Sequence, residues 1–333
     1  MSMAAPPVVD LPIGDERLAR DMAGGLAEVE KLLRAAVESE DAFITEASRH
    51  LIEAGGKRFR ATLVLLAAQF GNAAAAGVVP GAVVIELTHL ATLYHDDVMD
   101  EARMRRGSAS ANARWDNTIA ILTGDYLFAQ ASILLADLGN DLIRTQATTF
   151  SRLVQGQIRE TRGPRPGDDP VEHYIEVLAD KTGSLIATSG RFGGLLGGAP
   201  PRIVDRLDGA CEAIGIAWQL SDDLIDVAAT TSESGKTPGT DLREGIRTLP
   251  VLYVLGSDDP ADAGLRELLS GPVPEERLSE ALTALRAHRA MDQARAELNR
   301  WADRARADLA ELPDIPAREA FMSLCDYVVA RSG

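Results

Sequence analysis

Apolar positions along the first third of the chain recur every three or four residues. From Asp15 to Glu38 they are Leu18, Met22, Leu26, Val29, Leu32, Leu33 and Ala36, which predicts an amphipathic helix. A second helix is predicted from Ala42 to Ala54, stopped by Gly55-Gly56, a pair suited to a helix C-terminus. More apolar helices are predicted over Ala61 to Phe70, Ala82 to Asp100 and Ile119 to Leu138. Phe150 to Arg159 continues helical, and helix resumes at Val171. Leu249 to Leu255 reads as a short apolar helix, Glu276 to Leu312 as an amphipathic helical region, and Ala317 to Arg331 as the last helix. Residues 71–80, 161–170 and 256–275 are rich in Gly, Pro and Asp and read as connections. Residues 1–14 are Pro-rich and are expected to form a disordered tail. Period-two alternation bounded by hairpin turns is found nowhere, so no strand is predicted. The expectation is an all-α protein, a single-domain bundle of roughly a dozen helices around a central cavity, spanning residues 15–333.

Composition supports a helical interior. The chain has 333 residues, 46% hydrophobic and only 5% aromatic, so close-packed Ala, Leu, Val and Ile must fill the core. A formal charge of −16 argues against nucleic acid as a partner and against docking on anionic lipid. An anionic substrate would need a local basic patch plus metal. Cys211 and Cys325 lie in apolar helical sequence and read as buried thiols in a reducing compartment. No signal peptide is apparent, and no uninterrupted apolar run reaches ~20 residues, so a cytoplasmic protein without a membrane segment is predicted.

The chemistry is concentrated in His95-Asp96-Asp97-Val98-Met99-Asp100, at the end of a long apolar helix. Residues four apart on a helix share a face, so Asp96 and Asp100 point together and repel unless a cation or proton intervenes. Oxygen ligands without a Cys or His cluster suit magnesium completed by phosphate oxygens. Arg105 and Arg106 follow as fork-shaped donors for phosphate. The same Asp-Asp-x-x-Asp spacing recurs at Asp222, Asp223 and Asp226 behind the apolar run Ala213 to Leu220. Two such copies predict two walls of one site for a magnesium-bound diphosphate. Lys57 and Arg60 open an apolar helix, a placement the helix dipole disfavours unless an anion also binds. A basic surface turn is the bland alternative. His89, seven residues before Asp96, shares its face and reads either as a core histidine or as a phosphate contact. Lys236 stands in a polar, glycine-punctuated loop after the second motif, available to a phosphate. Gly193 to Gly198 follow a helix and not a strand, so a dinucleotide fingerprint is rejected.

Taken together, Gly-Gly-Lys-Arg-x-Arg at 55–60, His-x5-His-Asp-Asp-x-x-Asp at 89–100, Arg-x-Arg-Arg-Gly at 103–107, Lys-Thr at 181–182, Gln-x-x-Asp-Asp-x-x-Asp at 219–226 and Gly-Lys-x-x-Gly-x-Asp-Leu at 235–242 resemble the trans (all-E) isoprenyl diphosphate synthases, the polyprenyl synthetases. The order and spacing match over about residues 40–330. The resemblance implies joining of an allylic diphosphate to isopentenyl diphosphate with release of pyrophosphate, Mg2+ as cofactor and a homodimer. It implies metal binding by Asp96 and Asp100 with Asp97 supporting, and by Asp222, Asp226 and Asp241, the last two through water. It assigns Arg105, Lys181, Thr182, Gln219 and Lys236 to the allylic diphosphate, where Lys181, Gln219 and Lys236 assist catalysis. Lys57, Arg60, His89 and Arg106 fall to isopentenyl diphosphate. Short-chain members often carry an aromatic ring where this chain has Ala91. With Thr92 also modest in size, the resemblance implies a deep tail pocket and a medium or long product, a quinone side-chain precursor. A short-chain synthase is the alternative. A class I terpene cyclase is disfavoured by the second Asp-Asp-x-x-Asp and the Gly-Gly-Lys-Arg site, and a non-catalytic subunit by the intact aspartates.

Overall fold

The computed structural model describes residues 13–228 and 238–331. The expected tail over 1–14 therefore lies outside the described residues, apart from its last two positions. In chain order the helices are α1 (Glu16–Ala36), α2 (Ala42–Glu53), α3 (Phe59–Ala68) and α4 (Val78–Met99). A two-stranded ribbon, β1 (Met104–Arg105) and β2 (Ser108–Ala109), comes next, followed by α5 (Ala111–Arg114), α6 (Asn117–Ala136), α7 (Asn140–Arg162) and α8 (Pro170–Leu178). A π-helical turn, Ala179–Gly183, leads into α9 (Ser184–Leu196) and α10 (Pro201–Ala228). The remainder is α11 (Thr240–Glu244), α12 (Leu249–Leu255), α13 (Ala263–Leu268), α14 (Glu275–Arg286), α15 (Arg289–Ala310) and α16 (Pro316–Ala330).

Local chemistry sets the starts of these helices. Asp15, Asp41, Asp116 and Asp169 each accept a first-turn backbone N–H, at 2.7–2.8 Å, from Leu18, Phe43, Ile119 and Val171. Pro170 then occupies the first turn of α8, where its missing N–H costs nothing.

The chain forms two compact units. The first comprises Met1–Phe150, Leu185–Cys211 and Leu309–Ser323. Its centre is α4, apolar on all sides and packed by α1, α3 and α6. The second comprises Ser151–Ser184, Glu212–Asp308 and Leu324–Gly333. Its core includes Ile214, Ile216, Ala217, Leu220 and Leu224 of α10, all about 1% exposed.

Four expectations change. The ribbon at 104–109 is a strand pair where none was predicted. Its two-residue loop, Arg106-Gly107, has both φ values positive, 53° and 76°, the signature of a mirror-image hairpin turn. Strands of two residues carry no periodicity to detect. The connection 256–275 contains α13. The region 276–312 breaks into α14 and α15 at His288, whose Nδ1 accepts the Ala290 N–H at 3.1 Å. Finally, α4 and α6 are each long and apolar enough to cross a bilayer by length and composition. In α4, 67% of the most apolar window is buried inside the chain, as in a core helix, against 33% for α6. Both cysteines are buried and stand outside any disulfide.

Gly193 of α9 shows how tightly the first unit packs. A Cβ there would meet the Val64 carbonyl and come within 2.7 Å of the Ala67 Cβ on α3. Gly193→Ala is expected to destabilise the protein by about 1–3 kcal/mol, since backbone must move to admit it. Urea unfolding checks this; an unchanged midpoint contradicts the packing described.

Candidate functional site

In the first unit, Gly55 and Gly56 leave α2 with φ of 92° and 150°, and Arg58 follows at 47°. These left-handed steps swing the chain sharply into α3, where Arg60 falls in the first turn. Arg58 is buried at 5% exposure, pairs with Glu30 of α1, and donates to the Ile52 carbonyl at 3.0 Å. Arg106 reaches back from the ribbon, donating to the Leu51 carbonyl at 2.9 Å and to that of Gly55. A Cβ on Gly56 would sit 2.8 Å from its Nη1, so the glycine pair also makes room for this guanidinium. Arg60 keeps a buried Nε with no hydrogen-bond partner. Burial pushes its guanidinium down to about 10, with Glu86 opposing and Arg106 adding to the shift. Burial, then Arg60, Arg106, Arg58 and Arg105, holds the His89 imidazole well below its ordinary value, so it is neutral near pH 7. Lys57 is exposed at the rim.

The first acidic motif splits. Asp97 is fully buried, and its Oδ1 receives Arg105 Nε at 2.7 Å and Nη2 at 2.6 Å. Its Oδ2 is buried without a hydrogen-bond partner. Burial pushes this carboxyl up while Arg105 opposes. Asp96 is half-buried and Asp100 exposed, closing α4 through its N–H to the Asp96 carbonyl at 2.8 Å. Below them Ala91 is 0% and Thr92 9% exposed, and the Thr92 hydroxyl is tied to the His89 carbonyl at 2.8 Å.

In the second unit, the π-helical turn displaces Lys181 and Thr182 from regular helix, a distortion common at functional sites. Gly156 of α7 permits this: a Cβ there would lie 2.7 Å from the Lys181 nitrogen. Arg152 and Arg159 both hold Asp180 beside it. Lys181 Nζ pairs with Glu160 at 2.6 Å. Thr182 donates to Gln219 at 3.4 Å, and Gln219 donates to Asp223 Oδ1 at 3.0 Å. Tyr174 donates to the other oxygen of Asp223. Burial pushes the Asp223 carboxyl up to about 7 against both hydrogen bonds. Asp222 is exposed and pairs with Arg331, whose guanidinium stacks 4.0 Å from the Trp218 ring centroid. Asp226 accepts the N–H groups of Thr240 (3.2 Å) and Asp241 (3.1 Å), drawing Asp241 to the same end of α10. Lys236 lies outside the described residues.

The arrangement brings Arg60, Arg106 and His89 together, Asp97 with Arg105, and Gln219 with Thr182. Among the described residues no three His, Cys, Asp or Glu side chains form a protein-only metal cage. In the first unit the half-buried Asp96 and the exposed Asp100 are oxygen donors, and the buried Asp97 Oδ2 has no hydrogen-bond partner; in the second unit, taken by itself, the exposed Asp222 is an oxygen donor paired with Arg331. Within each unit, sparse carboxylate oxygens of this kind fit a hard cation that takes most of its shell from water and phosphate. Sequence reasoning missed Tyr174, Glu160, Glu30, Glu86 and Arg331. Nothing in their local sequence marks them; Arg331 meets a residue 109 positions away.

The profile of the Polyprenyl synthetase family matches residues 41–285. The chain is 48% identical over 336 residues to the nonaprenyl diphosphate synthase of Mycobacterium tuberculosis, covering 100% of both. It superposes on a geranylgeranyl pyrophosphate synthase of Corynebacterium glutamicum complexed with calcium and isoprenyl diphosphate, with TM-score 0.88 and 46% identity. That match covers 96% of this chain and 99% of the other. A decaprenyl diphosphate synthase of Rhodobacter capsulatus gives 0.87 at 36% identity, with coverage of 96% and 99%. The chain belongs to the polyprenyl synthetase family. It is a prenyltransferase of the isoprenoid pathway with the family's all-α fold.

Tyr174→Phe removes a hydrogen bond from a buried carboxyl. It is expected to cost about 1–3 kcal/mol in stability, read by urea unfolding. No loss would show that Asp223 does not depend on the phenol.

Proposed function

We propose that this chain condenses isopentenyl diphosphate repeatedly onto an allylic diphosphate, making a medium- or long-chain all-trans polyprenyl diphosphate. The observation that carries this reading is the cluster of basic groups in the first unit. Arg60 has an unpartnered buried Nε, Arg106 is clamped over Gly56, and His89 is held neutral as a donor. Buried, incompletely paired guanidiniums are costly unless an anion binds them. Isopentenyl diphosphate is that anion, with Lys57 closing the rim.

Asp96 and Asp100 in the first unit, and Asp222, Asp226 and Asp241 in the second, hold Mg2+, with Asp97 supporting through Arg105. Bound magnesium supplies neutralisation of the charge that develops on a departing diphosphate. Arg105, Lys181, Thr182, Gln219 and Lys236 grip the allylic diphosphate, and Lys181 and Lys236 stabilise it as the carbon–oxygen bond breaks. Lys181 must leave Glu160, and Arg105 keeps one face on Asp97 while it serves the substrate. The isopentenyl double bond attacks the allylic cation, and the proton then lost passes to released pyrophosphate.

Residues 15–333 act as one catalytic domain, in the cytoplasm, where two buried thiols stay reduced. The second copy of the chain docks on α6. Ile121, Leu122 and Ile133 are 43%, 58% and 61% exposed, and Leu122 and Ile133 share a helix face. Leu122→Glu is expected to convert dimer to monomer in size-exclusion chromatography with light scattering. A wild type that runs as a monomer contradicts this assembly.

Product length follows from α4. Ala91, Thr88, Ile85 and Val84 are all 0% exposed, along the path a tail would take below Asp96. A helix of ~20 residues spans ~30 Å, and each turn of ~5.4 Å matches one isoprene unit, so roughly six units fit alongside. The purified protein with isopentenyl and farnesyl diphosphates and magnesium is expected to yield extended prenols, and none in EDTA. No extended product overturns the function. Ala91→Phe is expected to shorten the product sharply while the first condensation persists. Identical prenol chromatograms for both proteins refute the tail path.

A further inference from the structure

Glu86 is a carboxylate with no assigned role at the heart of the basic pocket. It is 2% exposed on α4, one helical turn before His89. Its Oε1 accepts the Ala61 N–H at 3.0 Å, in the first turn of α3 directly after Arg60. Its Oε2 stands 4.0 Å from Arg58 Nη1, a buried group with no hydrogen-bond partner. Arg58 is already held by Glu30 and the Ile52 carbonyl, so Glu86 is not needed to anchor it. What Glu86 faces is a group of three guanidiniums, those of Arg58, Arg60 and Arg106, and its charge favours the ionised form of the last two.

We propose that Glu86 is the internal counter-anion of the pocket, a positioning residue that holds the arginines in place against their mutual repulsion until a diphosphate takes over that role. The inference rests on reading Arg60, Arg106 and His89 as the isopentenyl diphosphate pocket. Glu86 stabilises the empty pocket, because buried like charges repel without it. For the same reason it repels an entering diphosphate and limits its affinity. A repeating synthase needs that limit. After each condensation the lengthened chain carries its diphosphate in the isopentenyl pocket, and this group must leave before the next cycle.

Glu86→Gln isolates the charge, since the amide oxygen still accepts the Ala61 N–H. Inorganic pyrophosphate, titrated calorimetrically in EDTA into wild type, Glu86→Gln and Arg60→Gln, is the probe. Glu86→Gln is expected to bind at least roughly tenfold tighter than wild type, a lower bound, since one charge removed a few ångströms away at protein-like dielectric is worth more than a factor of ten. Without pyrophosphate it should melt below wild type, and with pyrophosphate its melting point should rise by more. In turnover, KM for isopentenyl diphosphate and kcat should fall together. A merely structural residue would raise KM. Pyrophosphate affinity equal to or weaker than wild type overturns the proposal. If Glu86→Gln folds only with pyrophosphate present the proposal stands, and if it folds in neither condition it falls. Equal binding by wild type and Arg60→Gln would instead overturn the pocket assignment itself.

Discussion

Arg58 carries its guanidinium into the interior of the first unit, where it pairs with Glu30 of α1 and lies near Glu86 of α4. A desolvated charge must find partners, and here they come from two other helices. The constraint ties α1, the head of α3 and α4 into one corner and thereby sets where Arg60 and His89 stand. Such a cluster is a poor way to gain stability, since well-packed apolar side chains do as well. Its effect is geometric. It keeps the α2–α3 turn in its left-handed path, with the Gly55 carbonyl and the open face of Gly56 presented to Arg106.

The two acidic motifs share a second constraint. In each, the middle aspartate is buried and held by protein, Asp97 through one oxygen by Arg105 and Asp223 through both by Tyr174 and Gln219. The outer aspartates are less buried: Asp96 and Asp226 are half-buried, Asp100 and Asp222 exposed. Helical geometry explains this: neighbouring residues differ by about 100° around the axis, while residues four apart nearly coincide. The doubled Asp thus serves two directions. One carboxylate holds neighbouring side chains, Arg105 at Asp97 and Tyr174 with Gln219 at Asp223, and the other aspartates are less buried. Asp226 adds a further task, accepting the first N–H groups of α11 and drawing Asp241 close.

Backbone exceptions gather at these same clusters. Positive φ at Arg58 and Arg106, and a π-helical turn at Lys181, are departures that regular helix would not supply. Each is held by neighbours: Glu30 and the Ile52 carbonyl at Arg58, the Leu51 and Gly55 carbonyls at Arg106, Gly156 and the Arg152–Asp180–Arg159 cluster at Lys181. Local strain persisting only where surroundings enforce it is typical of functional sites.

The sequence by itself determined the all-α class, most of the long helices and the spacing of both acidic motifs, because helix periodicity and capping are local. Asp15, Asp41 and Asp169 announce their helices within three residues, and Asp96 and Asp100 share a face whatever surrounds them. Only the tertiary structure decided which carboxylates face inward and which basic groups are held by which acids. Arg58 meets Glu30 across 28 residues and Arg331 meets Asp222 across 109. Pairings of that kind depend on burial and charge in three dimensions, and no local pattern encodes them. The ribbon that positions Arg105 and Arg106 was hidden for the opposite reason: two residues per strand are too few for any period to show.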